Sequence, residues 1–316
     1  MASKGVTDRS RKVDQIGMKN RLLGLLLSPV AEPHLVESVA WFQESAWTFG
    51  YDVLTCTLSD EKQQAKRCIR MLIERNVEGI ASLILHPSPE IVEALSQLTI
   101  PHVGLGTVSS IRNGVSLPVD YRRGIREGVQ HLALLGHREI ALLGCAPGRP
   151  RMQPKLDAFV LALKEIGCEP RSSWLIQCEE SFAGGTTSVE RLLGLSPRPT
   201  AAMCSADAVA LGALWALGQA GITVPEGISL ICLEGCPFAD LMVPQVTTVE
   251  IALQESTRTA VDILVNLIGN PLGHPAKNSL KANTTLMVRG STSYPPGRAL
   301  PRVNPKRTTL ENESSI

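Results

Sequence analysis

Val119-Asp-Tyr-Arg-Arg-Gly-Ile-Arg-Glu-Gly-Val-Gln-His-Leu-Ala-Leu-Leu-Gly-His-Arg-Glu-Ile-Ala-Leu-Leu-Gly144 reads as one helix and one strand joined by a tight corner. Asp120 suits an N-cap, because its carboxylate can accept the free N–H groups of a first helical turn. Ile125, Val129, Leu132 and Leu135 or Ala133 recur at helical spacing. Gly136 suits the left-handed residue that ends a helix, with His137 and Arg138 placing basic groups near its negative end. Ile140 to Leu143 is then a short unbroken apolar run, as expected of a strand buried on both faces.

The same alternation extends in both directions. Strands are expected at Leu22–Leu27, Tyr51–Thr55, Gly79–Leu85 and His102–Leu105, with helices at Pro33–Phe49, Glu61–Arg75 and Pro89–Leu98. Beyond the opening unit come helices at Lys155–Ile166, Gly185–Leu193, Asp207–Gln219 and Gln254–Ile268. Strands fall between and after them at Trp174–Gln177, Thr200–Cys204, Ile228–Leu233, Thr247–Glu250 and Thr285–Val288. Steady alternation of this kind predicts parallel sheets covered by helices on both sides. These are too many strands for one comfortable sheet, so two doubly wound α/β subdomains are expected.

Composition limits the function. The chain has 316 residues, 44% of them hydrophobic, which is enough for two domains with real cores. Lys plus Arg total 31 against 30 Asp plus Glu, a net charge of +1. No basic surface of the kind that grips DNA stands out, apart from short stretches at Lys4–Arg21 and Arg298–Arg307 that read as solvated termini. The 8 Cys residues include Cys56, Cys204 and Cys232 in apolar runs, where a thiol acts as a small hydrophobe. No zinc-ligand spacing and no signal peptide are visible, so the expectation is a reducing cytoplasm, no metal and no cofactor. The longest apolar runs are too short to span a membrane. The residues from Pro295 onward read as a disordered tail.

The opening segment also resembles a known family. Asp120-x-x-x-Gly124, followed by His131-Leu-x-x-Leu-Gly136-His137-Arg138-x-Ile-Ala-Leu-Leu-Gly144, is similar to the signature of the effector-binding domain of the LacI/GalR transcription regulators. Further matches follow in order: Val77-Glu-Gly-Ile80, Thr200 to Ala213, Val224-Pro-Glu-Gly-Ile-Ser-Leu-Ile231, Pro244-Gln-Val-Thr-Thr-Val249 and Arg289-Gly-Ser-Thr292. Together they cover roughly residues 20 to 293. The resemblance implies two lobes of periplasmic-binding-protein type joined by three crossovers, placed near Arg138, Pro244 and Asn278. One lobe is then 20–138 with 246–278 and the other 139–245 with 279–294, after a flexible segment 1–20.

It further implies a ligand between the lobes, at the C-terminal ends of the strands, where open parallel sheets place their sites. After the first strand stand Ser28, His34 and Leu35; His86 follows the third. Arg149, Arg151 and Lys155 occupy positions where family members hold an effector with arginines, although Lys155 replaces Arg. Phe182 stands where the family places a stacking aromatic, in a chain with only 4% aromatics. Asp207 matches a family Asp, with Ala206 in place of its Asn; as a residue alone it can equally cap its helix. Glu234 and Gly235 replace two family Asp residues. For each charged residue taken singly, a solvated helix start is an equal reading.

Family members bind DNA through an N-terminal helix-turn-helix headpiece, and twenty residues cannot hold its three helices. Operator DNA is therefore expected to be contacted only through a headpiece missing from this chain. No dinucleotide, Walker, Gly-x-Ser-x-Gly or His-Glu-x-x-His motif points to an enzyme. The expected protein is a non-enzymatic cytoplasmic sensor of a sugar or sugar-like metabolite, forming a homodimer. The alternative is a solute-binding protein of a sugar uptake system.

Overall fold

The computed structural model describes residues 20–27, 34–58, 62–84, 89–106, 114–144, 152–235, 239–270 and 281–297, with backbone alone at 34–36 and 62. The expected flexible N-terminal segment and the tail beyond 297 lie outside them. The first sheet carries β1 (Leu22–Leu27), β2 (Asp52–Thr57), β3 (Gly79–Leu83), β4 (His102–Leu105) and β5 (Gly114–Leu117) in the order β2-β1-β3-β4-β5. All its pairings are parallel. Helices α1 (His34–Thr48), α2 (Lys62–Glu74) and α3 (Pro89–Ser96) connect these strands. Its central strands β1, β3 and β4 are buried on both faces, which is why they read as largely apolar runs. Leu72, Ile80, Ile91 and Leu95 fill one face, and Leu25, Phe42, Val103 and Leu105 fill the other.

The second sheet has the order β6-β12-β11-β10-β9-β7-β8. Its members are β6 (Val119–Asp120), β7 (Ile140–Leu143), β8 (Leu175–Ile176), β9 (Ala201–Cys204), β10 (Ser229–Cys232), β11 (Thr247–Ile251) and β12 (Ala282–Met287). Helices α4 (Tyr121–Leu135) and α5 (Met152–Glu165) cover one face, and α6 (Phe182–Leu193) and α7 (Asp207–Gln219) the other. The last helix, α8 (Leu253–Gly269), packs Ala260, Val261, Leu264 and Leu267 into the core of the first sheet. The chain thus returns to the first sheet before finishing in the second.

Two expectations change here. The chain leaves the first sheet at Pro118, not near Arg138, because β6 pairs with β12 and α4 packs on β11, β12 and α5. It crosses back at Ala252, not Pro244, because β11 pairs with β10 and β12. Asn278 lies outside the described residues, in the third connection. A two-residue strand carries no readable periodicity, so nothing in the sequence marked a crossing ahead of α4. The second sheet is also mixed: β12 runs antiparallel to β11. Both strands meet the same junction, one entering it and one leaving it, so they point in opposite directions.

The opening unit forms as its residues dictate. The Asp120 carboxylate accepts from Arg122 N–H at 3.1 Å, and Gly136 adopts φ 102° at the helix end. His137, fully buried, then pins the base of the sheet. Its Nε2 lies 2.8 Å from the Ser293 carbonyl, which can only accept, so Nε2 carries the proton and Nδ1 accepts from Thr200 Oγ1 at 2.8 Å. Cys56 of β2 and Cys68 of α2 form a disulfide, 12 residues apart in sequence, in place of the free buried thiol expected of Cys56. A partner one helix later is invisible to strand periodicity. Cys204 and Cys232 are buried thiols as expected, and burial raises the pKa of each.

A pH dependence follows. His102 opens β4 inside the core, with Nε2 2.9 Å from Ser82 Oγ, and burial lowers its pKa from 6.5 to about 3. Burial also lowers His131 and His137. The unfolded chain therefore binds more protons than the fold between about pH 6.5 and 3. Stability is full above that window and falls as pH drops through it. Urea midpoints measured from pH 7.5 to 4 are expected to decline, with a smaller decline in His102→Leu. A flat profile contradicts this assignment.

Candidate functional site

The C-terminal ends of β7, β9 and β10 converge on one buried ion pair. Lys155, three residues into α5, is fully buried, and its Nζ lies 2.7 Å from Glu234 Oε1 and 2.7 Å from the Ser205 carbonyl. Ser205 directly follows β9, and Glu234 follows β10 by two residues. The Tyr121 ring at the start of α4 lies beneath the ammonium, 4.8 Å from centroid to Nζ. Three polar or aromatic partners around one ammonium offset the cost of taking it out of water.

Ser205 Oγ is buried and has no hydrogen-bond partner among the described residues. It faces Gly144, at φ 97° after β7, where a Cβ would collide with that hydroxyl. Asp207 is the first residue of α7 and accepts from Cys232 Sγ at 3.1 Å, while Ala206 is the N-cap. The cap role considered for Asp207 thus goes to a residue with no side chain to cap, and Asp207 packs against the end of β10. Where the chain crosses between sheets, a hollow of about 200 Å³ is lined by Leu117, Ser256, Thr259, Lys281 and Asn283. Lys281 there pairs with Asp120 at 3.2 Å.

Of the expected residues, the structure unites Lys155 and Glu234. The described ring contact of Phe182 is with Trp215, not with this pair. Phe182 is 45% exposed at the start of α6, its ring lies on Trp215 of α7 with centroids 5.9 Å apart, and Leu211 is exposed one turn before Trp215. Ser28, His86, Arg149 and Arg151 lie outside the described residues, as do the side chains of His34 and Leu35. Sequence reasoning missed Tyr121 and Ser205. The signal for Tyr121 was there: it is one of only 3 Tyr in the chain, directly after a helix cap.

Two doubly wound sheets crossed three times by the chain, with a buried ion pair at the strand ends of the second, define the class of fold: a two-lobed α/β domain. Residues 129–292 match the periplasmic binding protein-like domain, and the chain belongs to that family. It is similar to the HTH-type transcriptional repressor PurR of Glaesserella parasuis, with 24% identity over 90% of this chain and 83% of that protein. It is also similar to the ribose operon repressor of Escherichia coli K12, with 26% identity over 90% of this chain and 84% of that protein. Among solved structures, a LacI-family regulatory protein from Chloroflexus aggregans superposes with TM-score 0.75 at 24% identity, covering 86% of this chain and 99% of that one. These relatives are repressors rather than enzymes, and the domain is the effector domain of a LacI-type regulator. Among the described residues no helix is long and apolar enough to cross a membrane.

Proposed function

We infer that the domain binds a small, uncharged polar metabolite of the sugar type between its two sheets, and that binding controls a DNA-binding part of the regulator. The Lys155–Glu234 pair carries this reading. It puts a hydrogen-bonding carboxylate at the strand ends with its charge already balanced by Lys155. Such a group suits hydroxyls better than a second anion. The similarity to the ribose operon repressor supports a sugar. A ligand that prefers one arrangement of the two lobes shifts their equilibrium by its differential affinity, and with it the affinity for operator DNA. The protein works in the cytoplasm, where its operator is. A thermal-shift panel of sugars, sugar phosphates, sugar acids and nucleobases tests the class: a ligand at a hundred times its Kd stabilises by about 2.7 kcal/mol.

The same reading makes the protein a homodimer. Phe182, Leu211 and Trp215 form an apolar face on α6 and α7, and a second copy of the chain is the occupant that would cover it. Trp215→Glu is expected to turn a dimer into a monomer in analytical ultracentrifugation. A dimer of unchanged Kd removes this face from the interface.

A further inference from the structure

We propose that Arg289 is the positioning residue that couples the Glu234 end of the site to the strand crossing between the two sheets. Its guanidinium donates to Asp240 Oδ1 at 2.5 Å, Val246 O at 3.2 Å, Thr248 Oγ1 at 2.6 Å and Glu250 Oε1 at 2.8 Å. Its backbone N–H donates to Thr247 Oγ1 at 3.0 Å. One side chain thus holds the chain that follows Glu234, from Asp240 to Glu250, along its length. Glu250 is the residue before Ile251, the end of β11, where the chain passes through Ala252 into α8.

A second contact closes the path at the site itself. Gly235, next to Glu234, approaches Glu250 so closely that a Cβ on it would lie 3.3 Å from Glu250 Cγ and 3.6 Å from its Cα. Lys155 holds Glu234, Gly235 leaves room beside the Glu250 stem for no more than a Cβ, and Arg289 ties Glu250 to Thr248 of β11 and to Asp240. A shift of Glu234 therefore reaches the stem of Glu250, whose carboxylate Thr248 and Arg289 tie to β11. Arg is required because its planar fork reaches Asp240 and Glu250 together, which an ammonium cannot do. This inference rests on Glu234 belonging to the effector site, but its test uses the protein without ligand. A failure here leaves the calorimetric test of that site undisturbed.

The test is amide hydrogen exchange in the full chain, read at residues 247–252. Glu234→Gln weakens the grip of Lys155 and is expected to speed exchange there by about fivefold in the otherwise unaltered protein. In an Arg289→Met background the same substitution is expected to change it less than about twofold, because the path is cut. Arg289→Lys should recover only part of the response. If Arg289→Met does not fold, Glu250→Ala serves as the background, since it removes one partner of the same path. A purely structural Arg289 would lower stability but leave the response to Glu234→Gln intact. An equal acceleration in both backgrounds, or none in the unaltered protein, overturns the proposal.

Discussion

Replacing Lys155 by Met is expected to cost about 3–5 kcal/mol of folding stability, because it strands the Glu234 carboxylate in a site that is 4% exposed. The loss comes from desolvation. Little water reaches a carboxylate that has lost its ammonium there, and the Ser205 carbonyl loses the Lys155 donor as well. Lys155→Met combined with Glu234→Leu removes both charges and is expected to recover most of the loss, since well-packed apolar pairs replace buried ion pairs at little cost. Urea denaturation of the two variants measures this directly. Equal losses in the single and double variants would show that the stems, not the charges, hold the site together.

Gly212→Ala and Gly185→Ala are expected to be nearly as damaging, at about 3 kcal/mol or more each. Helices α6 and α7 touch backbone to backbone at these two positions. A Cβ on Gly212 would run into the Phe182 carbonyl and lie 3.0 Å from Thr186 N, and one on Gly185 would run into the Val209 carbonyl and lie 3.0 Å from Ala213 N. Carbonyls in a helix cannot rotate away as a side chain can, so the helices must separate and open the core formed by Val189, Val209 and Ala213. Gly218, in the same helix with open space around it, is the control. Gly218→Ala is expected to stabilise by about 0.4–1 kcal/mol through helix propensity and a less flexible unfolded chain. Thermal midpoints of the three variants separate close packing from propensity. A loss for Gly218→Ala matching the other two would rule out the packing explanation.

The sequence carries its local decisions plainly and its long-range ones poorly. Asp120, Gly136 and the apolar run Ile140–Leu143 announce their roles because a cap, a left-handed corner and a buried strand each depend on neighbouring residues. The two-residue strand β6 is too short to show a period, and β5, Gly-Val-Ser-Leu, is broken by Ser116 and closed by Pro118, so neither was read and the first crossing was placed near Arg138 instead of Pro118. Lys155 and Glu234 were each singled out as candidates by their places in the family pattern. Their pairing was not, since 79 positions separate them and only the fold brings β10 beside α5. The same holds for Phe182, whose partner Trp215 lies on another helix. Arg289 read as part of a motif, but its role became visible only once β11 and β12 were side by side.

The measurement that tests the central claim most directly is calorimetric titration of an uncharged sugar identified by thermal shift, into the unaltered protein and into Glu234→Gln. The variant keeps an acceptor oxygen for Lys155 while removing the negative charge, so the fold should survive and the site should not. The account predicts one-to-one binding per chain, weakened at least about tenfold (roughly 1.4 kcal/mol) in the variant. Unchanged affinity in a folded Glu234→Gln protein, or saturable binding of sugar phosphates alone, would contradict it.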